Sequence, residues 1–251
     1  YTMFDILFAY IFSIYGNEYG CKMIKKIDIL GIQLDNYTVR EAIMRVEAWY
    51  DNNMLNVIEM VSMQMLTESE SDPVLKEVIS SLDLAVIGEK GILQAAGVDT
   101  MQRIRETEEN DFSDEFLKRV ERNRKSVFII GETQGAVDEF TQELREEYPK
   151  LVLAGAAATE NCVGDLEGVI NEMNAATPDV IISIIPSPGQ EHFLVEHRDK
   201  INANLWYGIG GFEVHRKRSR IKGFFWNLIH RVRLKNSIDC LLYTSPSPRD
   251  C

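Results

Sequence analysis

Basic charge is scarce in this chain: 27 Lys and Arg stand against 39 Asp and Glu, a formal net charge of -12 at pH 7. A polyanionic partner would meet a repulsive average field, which excludes general nucleic-acid binding. Cysteine is sparse as well, with 4 in 251 residues. Cys21, Cys240 and Cys251 lie towards the ends and leave Cys162 alone in the body. Neither a disulfide framework nor a cysteine metal spacing can be built from that, and a reducing cytosol is expected. There is no internal repeat and no Pro- or Gly-rich linker, so a single α/β domain is the simpler expectation. No apolar run spans the roughly 30 Å hydrocarbon core of a bilayer; the best candidate, Ile6 to Tyr15, is too short. It also lacks a basic flank and a small-residue cleavage site, which argues against a signal peptide. The turn GETQGA does not have the G-x-G-x-x-G spacing, so dinucleotide-dependent oxidoreduction has no fingerprint here.

Both ends are expected to be foreign to the gene. Residues 1–22 are read as upstream read-through, with the native start at Met23. Residues 239–251 (DCLLYTSPSPRDC) have neither helical nor strand period and resemble translated sequencing-adapter read-through, so they are set aside from the fold. The body then divides into an α/β domain over 23–214 and a basic appendage over 215–238.

From Met23 onward, short apolar runs alternate with amphipathic helices, the pattern of parallel strands joined by crossover helices. The expected fold is therefore α/β and Rossmann-like, a mostly parallel sheet with helices on both faces. Ile27 to Ile32 reads as a first strand. Thr38 and Glu41 have the spacing of a capping box, opening a helix with Val39, Ile43, Val46 and Tyr50 on one face. Strands are expected at Asn56–Val61 and Leu84–Ile87, separated by a helix that starts at Asp72 and Pro73. The polar stretch Arg103 to Asp114 reads as a solvated surface connection before a helix carrying Phe116, Leu117 and Val120. Ser126 to Ile130 is a buried-type strand, Gly131 to Gly135 a turn, and Val137, Phe140, Leu144 and Tyr148 one stripe of a helix. Strands at Leu151–Gly155, Val180–Ile185 and Leu205–Ile209 repeat the plan.

Residues 215–236 break the composition, with 8 Lys or Arg and no acid. Arg220, Lys222, Arg231 and Arg233 supply charge, and Phe224, Phe225 and Trp226 supply aromatic surface beside one apolar helical face. Such a segment suits peripheral attachment to an anionic membrane surface; an ordinary terminal helix packed on the sheet is the other reading.

Read in order, ILGIQLDNYTVREAI, SESDPVLKEVISSLDLAVI, VFIIGETQGAVDEFTQELREEYPKL, PDVIISIIPSPGQEHFLVEHRDKI and YGIGGFEV resemble the WecG/TagA/CpsF family of bacterial glycosyltransferases. The match covers nearly all of Lys25 to Asn236. The resemblance implies transfer of an N-acetylmannosamine-type sugar from a UDP-sugar donor to a polyprenyl-diphosphate-linked acceptor, at the cytoplasmic face of the membrane. Cell-surface polysaccharide or teichoic acid would be the product, and no cofactor or metal is expected. The nucleotide is expected at the carboxyl ends of parallel strands, and the appendage is expected to complete the site.

Ser187, Pro188, Gln190 and Glu191 match the family's S/M-P-x-Q-E element. Gln190 can donate to and accept from a sugar or uracil, and Glu191 can accept from hydroxyls. The same residues also suit a plain helix start, with Ser187 as cap and Glu191 in the first turn. Gly208, Gly210 and Gly211 match a glycine-rich strand end that leaves room for the donor. Gly131, followed by Glu132, lets backbone approach a nucleotide while the next helix offers amides to a phosphate; a tight strand-to-helix turn needs the same glycine equally. Glu213 falls near the acid of the family's F-D-F element, and His192 and His215 read as surface or packing histidines.

The chain also departs from the family. The T-x-N element falls on Met60, Val61 and Ser62, leaving Ser62 as the candidate polar contact there. The acid of the D-G turn falls on Gly88, with Glu89 one residue on. Glu89 is therefore the candidate base, and a base must come within roughly 2.6–3.2 Å of the acceptor hydroxyl. Two readings follow: an active transferase in which Glu89 replaces the missing acid, or a catalytically inactive nucleotide-sugar-binding or membrane-associated partner protein of the same fold.

Overall fold

The computed structural model describes residues 25–52, 54–161 and 166–210. Both ends, the appendage with Arg220, Lys222, Phe224, Phe225, Trp226, Arg231 and Arg233, and also Cys162, Gly211, Glu213 and His215 lie outside the described residues.

Ile27 to Ile32, expected as one strand, is the centre of a hairpin. Strands β1 (Lys26–Ile29) and β2 (Ile32–Asp35) pair antiparallel, with Ile29 opposite Ile32. Leu30 and Gly31 turn the chain with φ of 53° and 77°, the left-handed pair that suits the twist of a two-residue hairpin. A leucine there is locally disfavoured, so the pairing on either side imposes the turn against its preference. The Asp28 carboxylate helps by accepting the Gly31 amide at 3.1 Å.

The chain then runs through α1 (Val39–Trp49), β3 (Asn56–Val61), α2 (Met63–Glu68), α3 (Pro73–Ser81) and β4 (Leu84–Ile87). After these come α4 (Lys90–Ala95), α5 (Met101–Glu108), α6 (Asp111–Arg122), β5 (Ser126–Gly131), α7 (Gln134–Glu147) and β6 (Val152–Ala158). It closes with α8 (Glu167–Ala175), β7 (Val180–Ser183), α9 (Gly189–His197) and β8 (Leu205–Gly208). Strands β3 to β8 form one 6-stranded parallel sheet in the order β4-β3-β8-β7-β5-β6. The α/β, Rossmann-like expectation is thereby met.

Local chemistry explains where the helices begin. At α1 the capping box is complete: Thr38 Oγ1 accepts the Glu41 amide at 3.4 Å, and Glu41 Oε2 accepts the Thr38 amide at 3.0 Å. At α3 the Asp72 carboxylate accepts the Val74 and Leu75 amides at 2.9 and 3.1 Å, with Pro73 in the first helical position.

Each face of the sheet has its own core. Ile58, Val127, Ile129, Val180, Ile182, Leu205 and Tyr207 face α1, α6 and α7, which contribute Val46, Phe116 and Phe140. Val57, Phe128, Ile130, Ile181 and Trp206 face α8 and α9, which contribute Ile170, Met173, Phe193 and Leu194. The hairpin, α2 and α3 close the β4 end around Leu34, Leu66 and Leu75. The steps β6 to β7 and β7 to β8 move one way along the sheet beneath α8 and α9. The step β5 to β6 moves the other way beneath α7. A single crossover hand requires this alternation.

The stretch Arg103 to Asp114, expected as a solvated connection, is α5 and the start of α6, and Arg103 and Glu106 are buried. Arg103 Nη1 meets Glu106 Oε2 at 2.8 Å, Arg103 Nε donates to Asn36 Oδ1 at 3.4 Å, and Gln102 Nε2 donates to Glu106 Oε1 at 2.8 Å. Buried charge is tolerated when each partner is hydrogen-bonded. A high density of charged residues looks the same in sequence whether they are solvated or paired.

Candidate functional site

One row of residues crosses the sheet close to its carboxyl edge: Ala85, Glu59, Gly208, Ser183 and Ile130, on β4, β3, β8, β7 and β5. Strand alternation puts the row on the face covered by α9, in line with Val57, Ile181 and Trp206. The small residues at its centre leave a trough, and Gln190 from the first turn of α9 descends into it. A Cβ added at Gly208 would lie 2.6 Å from both Nε2 and Oε1 of Gln190. Glycine at 208 is what lets the amide lie this close to the strand.

The trough is fully buried and short of partners. Glu59, Ser183, Gln190 and Glu191 are each 0% exposed. Gln190 Nε2 donates to Glu191 Oε1 at 3.4 Å, and Ser183 Oγ accepts the Ile185 amide at 3.3 Å. Among the described residues, both carboxyl oxygens of Glu59, Oε1 of Gln190, Oε2 of Glu191 and the Ser187 hydroxyl have no hydrogen-bond partner. Burial, reinforced by the neighbouring Glu191, pushes the Glu59 carboxyl well above the usual carboxylate range. Burial also raises Glu191, opposed by its own amide, by nearby Ser187 and Gln190, and by His192. Unused donors and acceptors at one strand edge suit a ligand rich in hydroxyl and amide groups.

The other expected site residues are distributed around this trough. Ser187 and Glu191 flank Gln190, and Gly210, with φ of 69°, follows β8. The start of α9 has Pro188 in the capping position and no side-chain cap, so Ser187 is free of the capping role that its sequence suggested. Gly131 ends β5, two strands from Gly208 in the sheet order. It belongs to the opposite face: its absent Cβ would lie 2.6 Å from Val137 Cγ2 and 2.9 Å from Ile184 Cγ1. Strands β5 and β7 are neighbours whose following helices, α7 and α9, take opposite faces, an arrangement that opens a crevice. Two amides at the start of α7 are already occupied there, Gln134 by the Glu160 carboxylate and Ala136 by Thr133 Oγ1. Glu132 is exposed, and its carbonyl accepts the Glu160 amide at 3.0 Å. Ser62 caps α2 by accepting the Met65 amide at 3.1 Å.

At the ends of β3 and β4, Met60 takes the space that a side chain at residue 88 would need. A Cβ on Gly88 would come within 2.9 Å of Met60 Cγ and 3.0 Å of the Val61 carbonyl. Glu89 is half-buried at the start of α4, and its Oε1 accepts the Met63 amide at 3.3 Å. Beside Met60 and Gly88 lies a hollow of about 30 Å³, lined also by Arg103, Glu106 and Asn110. Among the described residues, no group of 3 or more His, Cys, Asp or Glu could hold a metal ion.

Sequence reasoning passed over two groups in these surroundings. Glu59 had a visible signal, an acid in the middle of the apolar strand NVIEMV. Arg103 had a weaker one, a Glu three residues on with which it pairs.

A parallel α/β sheet with polar side chains gathered at its carboxyl edge defines the Rossmann-like class, in which ligands bind outside the carboxyl ends of the strands. Comparison with known proteins narrows this. The family model described as "Glycosyl transferase WecG/TagA/CpsF family" matches residues 27–215, and the chain belongs to that family of glycosyltransferases. It is 23% identical over 191 residues to the N-acetylglucosaminyldiphosphoundecaprenol N-acetyl-beta-D-mannosaminyltransferase of Staphylococcus aureus strain COL, covering 74% of this chain and 73% of the relative. The protein of the same name from another strain of that species is 22% identical over the same coverage. Among the described residues, no helix is long and apolar enough to cross a membrane.

Proposed function

We propose that this protein transfers an N-acetylhexosamine of the mannosamine type from a UDP-sugar to a polyprenyl-diphosphate-linked acceptor that ends in N-acetylglucosamine. Family membership supports glycosyl transfer, and the names of the Staphylococcus aureus relatives support the sugar and the acceptor. The observation that carries the site is the Gln190 amide seated on Gly208, with stranded polar atoms of Glu59, Glu191 and Ser187 around it. Gln190, Glu191 and Ser187 contact the donor, and Gly210 and Gly211 leave it room, whereas Gly208, expected to do the same, makes room for the Gln190 amide instead. Ser62, Gly131 and Glu132 border the same strand edge.

In the reaction, the acceptor hydroxyl oxygen forms a bond to the anomeric carbon while the bond from that carbon to the UDP oxygen breaks. The hydroxyl proton passes to a base, for which Glu89 is the candidate, and UDP leaves as the anion. A product destined for the cell surface and a basic aromatic segment over 215–238 together suit peripheral attachment at the inner face of the membrane.

A second reading has its own support. Met60 excludes a side chain at residue 88, and Glu89 already holds the Met63 amide. Both features suit a partner protein that binds the nucleotide sugar without turning it over.

Titration calorimetry with UDP tests the site under either reading. The wild-type chain is expected to bind, and Gln190→Ala to bind about tenfold more weakly, the cost of removing one buried hydrogen-bonding group. Equal affinities would place the nucleotide elsewhere.

A further inference from the structure

Glu59 is the one titratable group in the trough with no place in the chemistry above. It is fully buried in a central strand, and neither of its oxygens has a partner among the described residues. An ionised carboxylate in such a place costs several kcal/mol of lost hydration unless hydrogen bonds or a counter-charge replace it. Around it, Gln190 Oε1 is a buried acceptor in need of a donor, while the Ser187 hydroxyl lies by Glu191 to serve that carboxyl. A carboxylic acid is a donor, so one proton on Glu59 serves the carboxyl and a stranded acceptor together.

The amide orientation does not remove this requirement. With Gln190 Nε2 on Glu191 Oε1, the Gln190 oxygen is stranded. With the amide turned over, two oxygens face each other, and one carboxyl must again carry a proton. Position decides which carboxyl that is. Glu191 is the third residue of α9, where helix amides and dipole favour the anion, and Ser187 and His192 favour it further. Glu59 lies mid-strand between Ala85 and Gly208, with none of these.

We propose that Glu59 is a positioning residue, a neutral carboxyl that donates its one proton to the stranded Oε1 of Gln190 and holds the Gln190 amide on Gly208. The proton and the amide contact stand on the trough alone; their value to a sugar nucleotide rests on the reading of Gln190 as a donor contact.

Two measurements on the full chain test this. Infrared spectra at neutral pH are taken for wild type, Glu59→Gln and Glu191→Gln. UDP affinities are measured for wild type, Glu59→Gln and Glu59→Leu, with folding of each variant verified by circular dichroism. A carboxylic-acid carbonyl band is expected in the wild type, retained in Glu191→Gln and lost in Glu59→Gln. Glu59→Leu should weaken UDP binding about tenfold, while Glu59→Gln, which keeps a donor of the same shape, should stay within about threefold of wild type. A band unchanged in Glu59→Gln overturns the proposal, as does a folded Glu59→Leu that binds UDP like the wild type. If the wild type itself does not bind UDP, the donor-site reading fails. The infrared comparison then decides Glu59 alone: loss of the band upholds its neutral form and persistence refutes it.

Discussion

Met60 determines what residue 88 can be. Its thioether arm fills the space next to Gly88, the position where the family resemblance implies an acid, so the residues at 60 and 88 constrain each other. Gly88→Asp alone is expected to lower stability by about 1–3 kcal/mol, because the new side chain drives into Met60 and the Val61 carbonyl. Adding Met60→Thr shortens the obstructing arm while the Val61 carbonyl stays in place, and should recover part of that loss. Thermal melts of the single and double variants check the coupling, and a Gly88→Asp chain that melts like wild type would show that Met60 yields freely. Gly131 and Gly208 are glycines for different reasons. Gly131 makes room for the apolar side chains of Val137 and Ile184, and Gly208 for the amide of Gln190.

At the scale of elements, β3 and α9 form the unit that carries the trough, and their buried carboxyls link it to pH. Glu59 and Glu191 are raised in the folded chain, so the native state binds more protons than the unfolded chain above the ordinary carboxylate value of 4.5. Their contribution is complete below that value and declines as pH rises towards the raised folded values, with a slope of about 1.4 kcal/mol per pH unit for each proton of difference. Glu41 and Asp179 are lowered and act in the opposite sense, losing their contribution as pH falls. Glu59→Gln cancels only the Glu59 part. Its stability should gain on wild type as pH rises above the ordinary carboxylate value, with a slope of at most about 1.4 kcal/mol per pH unit, read from thermal melts at a series of pH values. Parallel melting curves across that range would mean that Glu59 titrates as a solvated carboxyl.

The same elements show what a sequence can and cannot carry. The bounds of β4 were legible because a strand buried on both faces is an unbroken apolar run, those of β3 because its run is interrupted only by Glu59, and α3 because Asp72 and Pro73 mark its start. The hairpin was not legible, since Leu30 and Gly31 lack the Asn-Gly or Asp-Gly signature and a short run with a single glycine reads as one strand. Gln190 and Gly208 could each be picked out, but their contact could not, because it joins α9 to β8 through the packing of a whole layer. Glu59 was hidden for the same reason: a single acid in an apolar strand acquires meaning only when the element above it is known.

For the whole molecule, the sheet brings residues from distant parts of the chain to one edge and sets them on its two faces. The Gln190 trough lies on the α9 face. Gly131 packs against Val137 on the α7 face, and the small hollow by Met60 and Arg103 reaches Phe112 of the α6 layer. Ligand handling and acceptor activation therefore need not fail together. The proposed donor site thus depends on the trough and not on residue 88.

Whether it also performs the transfer is decided most directly by turnover. UDP release is measured with a panel of UDP-N-acetylhexosamines and a polyprenyl-diphosphate-linked N-acetylglucosamine acceptor, for wild type and Glu89→Ala. The account predicts acceptor-dependent release with the mannosamine-type donor, reduced at least about a hundredfold in Glu89→Ala, as expected on removing a general base. UDP binding without acceptor-dependent release from any donor would contradict it and leave a binding protein on a transferase fold.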